Sequence, residues 1–197
     1  MRELFAAWRG APRSLRRMII ILTALIVVAF LAAELLMPAQ ASGGSQPGKS
    51  GGSLRPAPDF TVAVWNVSGM ASFHLAALRG EPVVVNFWAP WCDPCRQEAP
   101  TMAAVAQAFA GKPVAFVGVA YDTNQHDVLS FLQQYGITYP CGPDNGTSIA
   151  DAFGVGGLPV TVVIDRQGRI THTFVGPANK TALEAAIQSA LAYVPAG

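Results

Sequence analysis

Charge is what this chain lacks most. Asp, Glu, Lys and Arg make up 13% of its 197 residues, against roughly 25% in an ordinary soluble domain. Disorder driven by charge is thereby excluded, and the 51% apolar content suffices for one domain with an extra segment to spare. The charge present is unevenly placed. Residues 1–41 hold Arg2, Arg9, Arg13, Arg16 and Arg17 against Glu3 and Glu34, whereas the remainder holds eight basic and ten acidic residues. That acidic remainder offers no basic face to a nucleic-acid backbone, so nucleic acid is excluded as a main partner. Cysteine is scarce as well: Cys92, Cys95 and Cys141 are too few to staple a small scaffold. No second Cys-x-x-Cys accompanies the first, and His74, His126 and His172 stand singly. The sequence therefore implies neither a metal nor a cofactor.

What is there begins with an apolar run at positions 18–37, interrupted by Thr23 and Glu34. About 20 residues make a helix of roughly 30 Å, the thickness of a bilayer core. With no polar face to meet water, the run reads as a single transmembrane helix rather than a core helix. The arginines ahead of it place a basic segment, residues 1–17, in the cytoplasm and everything after the run outside it. Ala39-Gln40-Ala41 has the form of a signal-peptidase site, so cleavage near Ala41, giving a secreted domain, stands beside an uncleaved anchor; the length of the run favours the anchor. Residues 38–56, rich in Gly, Ser and Pro, read as a flexible linker. The folded domain is expected at 57–197.

Within that domain the patterning alternates between strand and helix. Positions 60–67 alternate apolar and polar, and 72–78 can return as a second strand and a short turn, predicting an N-terminal hairpin. Positions 83–89 are β-branched and apolar on both faces, as a central buried strand is. A helix over 95–109, a second buried strand over 114–120 and a helix over 125–135 follow. Strands at 160–164 and 169–175 flank Asp165-Arg166-Gln167-Gly168, a hairpin signal, and a helix over 181–193 closes the chain. The order ββ-βα-βα-ββα describes an α/β fold with a central mixed sheet flanked by helices.

The chemistry lies in Trp91-Cys92-Asp93-Pro94-Cys95, between the central strand and the helix after it. A thiol at a helix N-terminus faces unpaired backbone N–H groups and the positive end of the helix dipole, which stabilise its thiolate. Two intervening residues let the second sulfur reach the first. The natural reaction is thiol–disulfide exchange, with Cys92 attacking a substrate disulfide and Cys95 resolving the mixed disulfide. Pro94 is tolerated in the first turn because its missing N–H would have had no partner there. As a purely structural disulfide, a loop this short would restrain the unfolded chain little.

These residues carry a family resemblance. Residues 86–100, NFWAPWCDPCRQEAP, look like the active-site segment of the thioredoxin-like superfamily. More narrowly, they resemble the membrane-anchored extracytoplasmic thiol–disulfide oxidoreductases of the TlpA/ResA/CcmG type. Ala57-Pro58-Asp59-Phe60, Leu78-Arg79-Gly80 and the run from Gly154 to Thr161 leading into IDRQGRI extend the match over nearly the whole folded part.

The resemblance implies a thioredoxin-like fold and a cis peptide bond between Leu158 and Pro159, facing the cysteine pair, with the Leu158 backbone receiving the substrate chain beside Trp91 and Pro94. It implies a role for Glu98, one turn beyond Cys95: a carboxylate there raises a cysteine pKa and relays protons. A solvated first-turn helix acid is the competing account of Glu98. Asn86 stands where cytosolic thioredoxins carry a buried acid. The resemblance further implies disulfides of exported proteins as substrates, apocytochrome c cysteines among them, with electrons from a membrane thiol donor. Asp93 disfavours a thiolate at its neighbour, which points to a reductant. Cys141 is expected as a buried free thiol. A peroxiredoxin-type peroxidase would show a Thr or Ser before the reactive cysteine, where Trp88 and Ala89 stand, and a thioredoxin-fold copper chaperone would need a wider cysteine spacing.

Overall fold

A computed structural model describes Pro12, Ser14, Arg17, Met18 and residues 21–27, 54–144 and 146–192. The chain divides into two compact units, Met1–Gly44 and Ser45–Gly197. In the first, residues 21–27 are helical, and Ile21, Leu22, Leu25, Ile26 and Val27 are all exposed. Among the described residues no helix is long and apolar enough to cross a membrane. Most of the expected span 18–37, and positions 38–53 of the expected linker, lie outside them.

The second unit is built on a five-stranded sheet. A small antiparallel hairpin, β1 (Thr61–Ala63) and β2 (Ser72–His74), precedes a short 3-10 turn at Leu75–Leu78. Then come β3 (Val83–Trp88), α1 (Asp93–Ala108), β4 (Ala115–Tyr121), α2 (Gln125–Tyr135), β5 (Cys141–Asp144), α3 (Ser148–Phe153), β6 (Val160–Ile164), β7 (Ile170–Val175) and α4 (Lys180–Ala192). The sheet order is β5-β4-β3-β6-β7. β3 runs parallel to β4, and β4 parallel to β5; β6 is antiparallel to both β3 and β7. This is the mixed sheet the patterning predicts.

The central strand β3 is buried at all six positions, and its alternate residues feed two apolar clusters. Val84 and Trp88 pack with Met102 and Val105 of α1, Phe131 of α2 and Leu183 and Ile187 of α4. Val83, Val85 and Phe87 pack on the other face with Phe60 and Phe73 of the hairpin region and Phe153 of α3. Covering a strand on both faces leaves its end as the place where chemistry can meet solvent, and β3 ends four residues before Cys92.

Two corrections to the sequence reading concern this scaffold. Cys141–Asp144 is a strand and Ser148–Phe153 a helix, a βα unit the patterning missed because Gly142 and Pro143 read as turn residues. Pro143 is tolerated because β5 lies at the sheet edge. The expected strand 60–67 is a strand only over Thr61–Ala63. Beyond it the chain turns onto the β5 edge: Trp65 N donates to the Cys141 carbonyl at 2.9 Å. Asn66 Oδ1 accepts from Cys141 N, and Asn66 Nδ2 donates to the Tyr139 carbonyl. The side-chain amide of Asn66 thus does for the edge what another strand would do.

Candidate active site

Cys92 is the N-cap of α1, with Pro94 in the first turn, and its sulfur accepts a hydrogen bond from Cys95 N at 3.2 Å. The helix that positions Cys92 therefore also points a backbone dipole at its sulfur. Cys92 and Cys95 are joined by a disulfide with Cα atoms 5.2 Å apart. Cys92 is 6% exposed and Cys95 2%, so the first sulfur is recessed and the second lies behind it. Asp93, beside them, is exposed and pairs with Arg96 at 2.6 Å. Arg96 also donates to the Pro90 carbonyl, which fixes the guanidinium over the start of α1 and offsets the Asp93 charge.

Glu98 is 2% exposed. The solvated-acid account of this residue is therefore excluded. Its Oε1 accepts from Ala178 N at 2.8 Å and from Thr161 Oγ1 at 3.4 Å, and its Oε2 accepts from Asn86 Nδ2 at 3.0 Å. The same Asn86 Nδ2 lies 3.0 Å from Thr161 Oγ1, because Asn86 and Thr161 face each other across the β3–β6 register. Burial lifts the Glu98 carboxyl above the usual range, and the bonds from Ala178, Asn86 and Thr161 pull it part of the way back. Each of these partners is neutral, and among the described residues none of the groups bonded to the Glu98 carboxylate is a cation. Sequence reasoning identified Glu98 and Asn86 but not that they meet, nor that Thr161 and the Ala178 amide complete the arrangement. The Asn86–Thr161 register could have been inferred by aligning VVVNFW against VTVVI; the Ala178 contact, 80 residues away, carries no local signal.

A cavity of about 530 Å³ opens over the disulfide. Trp91, Cys92, Asp93, Pro94 and Leu158 line it, as does a wall made by Tyr121, Val155, Gly156 and Gly157. Four predicted residues, Trp91, Pro94, Leu158 and Cys92, thus share one concave surface. The Leu158–Pro159 peptide bond is cis, and Pro159 is buried at the foot of β6, its carbonyl accepting from Gly176 N. Trp91 is 57% exposed, and its Nε1 donates to the Asp122 carbonyl at 3.2 Å. Its ring meets Tyr121 edge to face at 6.5 Å. Trp88 instead belongs to the core, stacked on Phe131 at 4.3 Å.

Cys141 is a free thiol and fully buried. Burial pushes its pKa well up, so it is a protonated, unreactive sulfur. Among the described residues, no group of three or more His, Cys, Asp or Glu could hold a metal ion. The arrangement is that of a recessed redox dithiol at a helix terminus, with a buried carboxyl behind it and an apolar cavity before it.

Comparisons with known proteins agree with that chemistry. The Redoxin family model matches residues 53–191. The chain is 33% identical over 130 residues to the thiol-disulfide oxidoreductase ResA of Bacillus thuringiensis (strain Al Hakam), covering 66% of this chain and 73% of the relative. Among solved structures, a thiol:disulfide interchange protein of the thioredoxin family from Chlorobium tepidum TLS superimposes with a TM-score of 0.63 at 31% identity, over 71% of this chain and 98% of that one. A secreted disulfide oxidoreductase of Mycobacterium tuberculosis gives a TM-score of 0.58 at 28% identity, over 66% and 95%.

Proposed function

The chain belongs to the Redoxin family and is a ResA-like thiol–disulfide oxidoreductase, and from that premise we propose that it works outside the cytoplasm as a reductant of disulfides in exported proteins. The cysteines of apocytochrome c are the substrate class that the resemblance to cytochrome c maturation reductases suggests. In the reduced enzyme, the Cys92 thiolate attacks one sulfur of the substrate disulfide, forming a mixed disulfide and releasing the other substrate sulfur as a thiolate. Cys95 then attacks the Cys92 sulfur, the second substrate thiol leaves, and the Cys92–Cys95 disulfide is formed. Two electrons have passed to the substrate, and a membrane dithiol donor must return them.

The observation that carries the reducing direction is Glu98 buried one turn behind Cys95. A strong oxidant owes its potential to a stabilised thiolate. Here the buried group behind the dithiol is an acid, and the guanidinium of Arg96 is occupied by Asp93. In this role Glu98 raises the thiol pKa and passes protons to and from the resolving sulfur. Export is supported by the exposed apolar helix at 21–27, by the arginines ahead of it, and by the secreted Mycobacterium tuberculosis structure to which the chain is similar.

The decisive experiment is trapping in cells with Cys95→Ala, which leaves Cys92 attached to whatever it attacks. Mixed disulfides with exported proteins are expected, and their loss in Cys92→Ala checks the nucleophile. Pre-reduced protein should reduce insulin, an activity that Cys92→Ala abolishes and Cys141→Ala leaves within about twofold of the starting rate, since the buried thiol does not react. A Cys95→Ala variant that accumulates only cytosolic partners would remove the exported role.

A further inference from the structure

Cations are few in the folded unit, and they are not scattered. Residues 54–192 hold seven of them against ten carboxylates. Four of the seven, Arg55, Arg79, Arg166 and Arg169, gather at the turn between β6 and β7. The Arg55 carbonyl accepts from Ile170 N at 2.9 Å, and Pro56 forms a β-bridge with Arg169. The Arg166 carbonyl accepts from Gly80 N at 2.9 Å, while the Arg79 guanidinium donates to the Gln167 carbonyl. That guanidinium occupies the space a Cβ on Gly168 would need. Asp165, 1% exposed, is taken by Arg169 at 2.7 Å and by the amides of Gln167 and Arg169. Among the described residues no carboxylate, the neighbouring Glu81 included, pairs with Arg55, Arg79 or Arg166. Arg55 donates to the Phe153 carbonyl, and the Arg166 Nε has no partner. Three guanidinium charges thus stand uncompensated at one end of an acidic domain.

That end lies opposite the dithiol. Ile164 pairs with Val83 at the start of β3, and Val160 with Phe87 near its finish. The length of β3, about 20 Å for a strand of this size, therefore separates the arginines from the end that leads to Cys92. It is also where the chain enters the domain, since Leu54 is the first described residue of this unit. On the anchored reading, the membrane lies beyond residues 38–53, so this face meets the headgroups at high effective concentration. We infer that the arginine face docks on the anionic phospholipid headgroups of the membrane that holds the chain, and so turns the dithiol outward to exported proteins. Planar guanidinium groups match phosphate oxygens in pairs, and a cationic patch is drawn to an anionic bilayer within a Debye length. Salt screens such a contact, so it is reversible, and a released domain is free to turn to a membrane donor. The inference rests on the anchored reading and adds the orientation of the domain upon the bilayer.

The test places the full chain in nanodiscs of phosphatidylcholine, alone or with about one-third phosphatidylglycerol. Phenylglyoxal then modifies accessible arginines, and mass spectrometry reads each site. On the anionic discs Arg55, Arg79 and Arg166 should react at least about fivefold more slowly than on neutral discs, with Arg96 at the dithiol end within about twofold. Raising NaCl to about 0.5 M should remove that protection. In the double variant Arg79→Gln/Arg166→Gln the protection of Arg55 should fall below about twofold, with insulin reduction unchanged. The wild-type footprint decides the matter by itself should that variant fold poorly. Equal reaction on both discs, or Arg96 protected as strongly as Arg79, overturns the inference. Protection by inorganic phosphate on neutral discs overturns it too, in favour of a free-phosphate site. Protection by polyglutamate where anionic lipid gives none assigns the face to an acidic protein instead. A chain that does not stay with neutral discs removes the anchored reading, and this inference with it.

Discussion

At the scale of single residues, Glu98 is where sequence and structure differ most in what they say. Its position three residues after Cys95 fixes the helix face, but not how deep that face goes. The depth is set by the Ala178 amide and by Asn86 and Thr161. A buried carboxyl makes two predictions. First, Glu98→Gln should lower the apparent pKa of at least one active-site thiol, moving the exchange-rate profile toward lower pH. Removing the charge relieves repulsion of the thiolate, and one unit of thiol pKa is about 1.4 kcal/mol. Thiolate absorbance measured against pH in both proteins checks this, and superimposable curves would deny Glu98 any hold on the dithiol. Second, the sign of the stability effect follows from the raised folded pKa. The folded state resists ionisation, so wild-type stability is full below the ordinary Glu value of 4.5 and declines as pH rises through the raised folded value. Glu98→Gln should lack that decline in denaturant titrations at a series of pH values.

At the scale of elements, what was legible in the sequence was whatever depends on local pattern. Val83–Trp88 and Val160–Ile164 read as buried strands, and Gln125–Tyr135 as a helix closed by Gly136. The cysteine pair at the start of α1 was legible in its spacing and in the pattern around it, whereas the Leu158–Pro159 cis bond came with the resemblance. What was illegible depends on partners distant in sequence. β5 is a strand because β4 accepts it and Asn66 completes its edge, while its own residues, Cys-Gly-Pro-Asp, argue for a turn. Gly142 records the same dependence from the other side. The Ala63 carbonyl fills the space a side chain would need, so the hairpin can lie on β5 only over a glycine. Gly142→Ala should therefore destabilise the domain by about 1–3 kcal/mol or more, because backbone rather than a movable side chain must yield. Urea unfolding measures this, and an unchanged midpoint would mean that the hairpin does not dock there. Gly118, opposite Cys141 on β4, faces Cys141 Sγ and Trp88 Nε1 instead, which are side-chain atoms, so an alanine there should cost less.

At the scale of the whole molecule, the chain joins a charge-poor redox domain to an apolar, arginine-preceded segment, and the chemistry explains why the two belong together. A disulfide that must be re-reduced after every turnover needs a steady donor. In an oxidising compartment a thiol pool does not supply one, whereas a donor in the membrane can. Were the proposed anchor to hold the enzyme at the membrane, its local concentration near such a donor would rise. The exposed apolar side chains at 21–27 fit burial in lipid better than exposure to water. Expressed from Met1 in a bacterium, the protein should sediment with membranes and resist extraction by alkaline carbonate. In spheroplasts its domain should be open to added protease, as the arginines at residues 2–17 direct. Gel mobility separates the two fates of the leader. Retention at the 20.7 kDa of the full chain marks an anchor, while a soluble product shortened by about 41 residues marks cleavage after Ala41. If the protein were shortened and soluble yet still fully reduced in growing cells, the donor would have to reach it by diffusion, and re-reduction would not depend on an anchor.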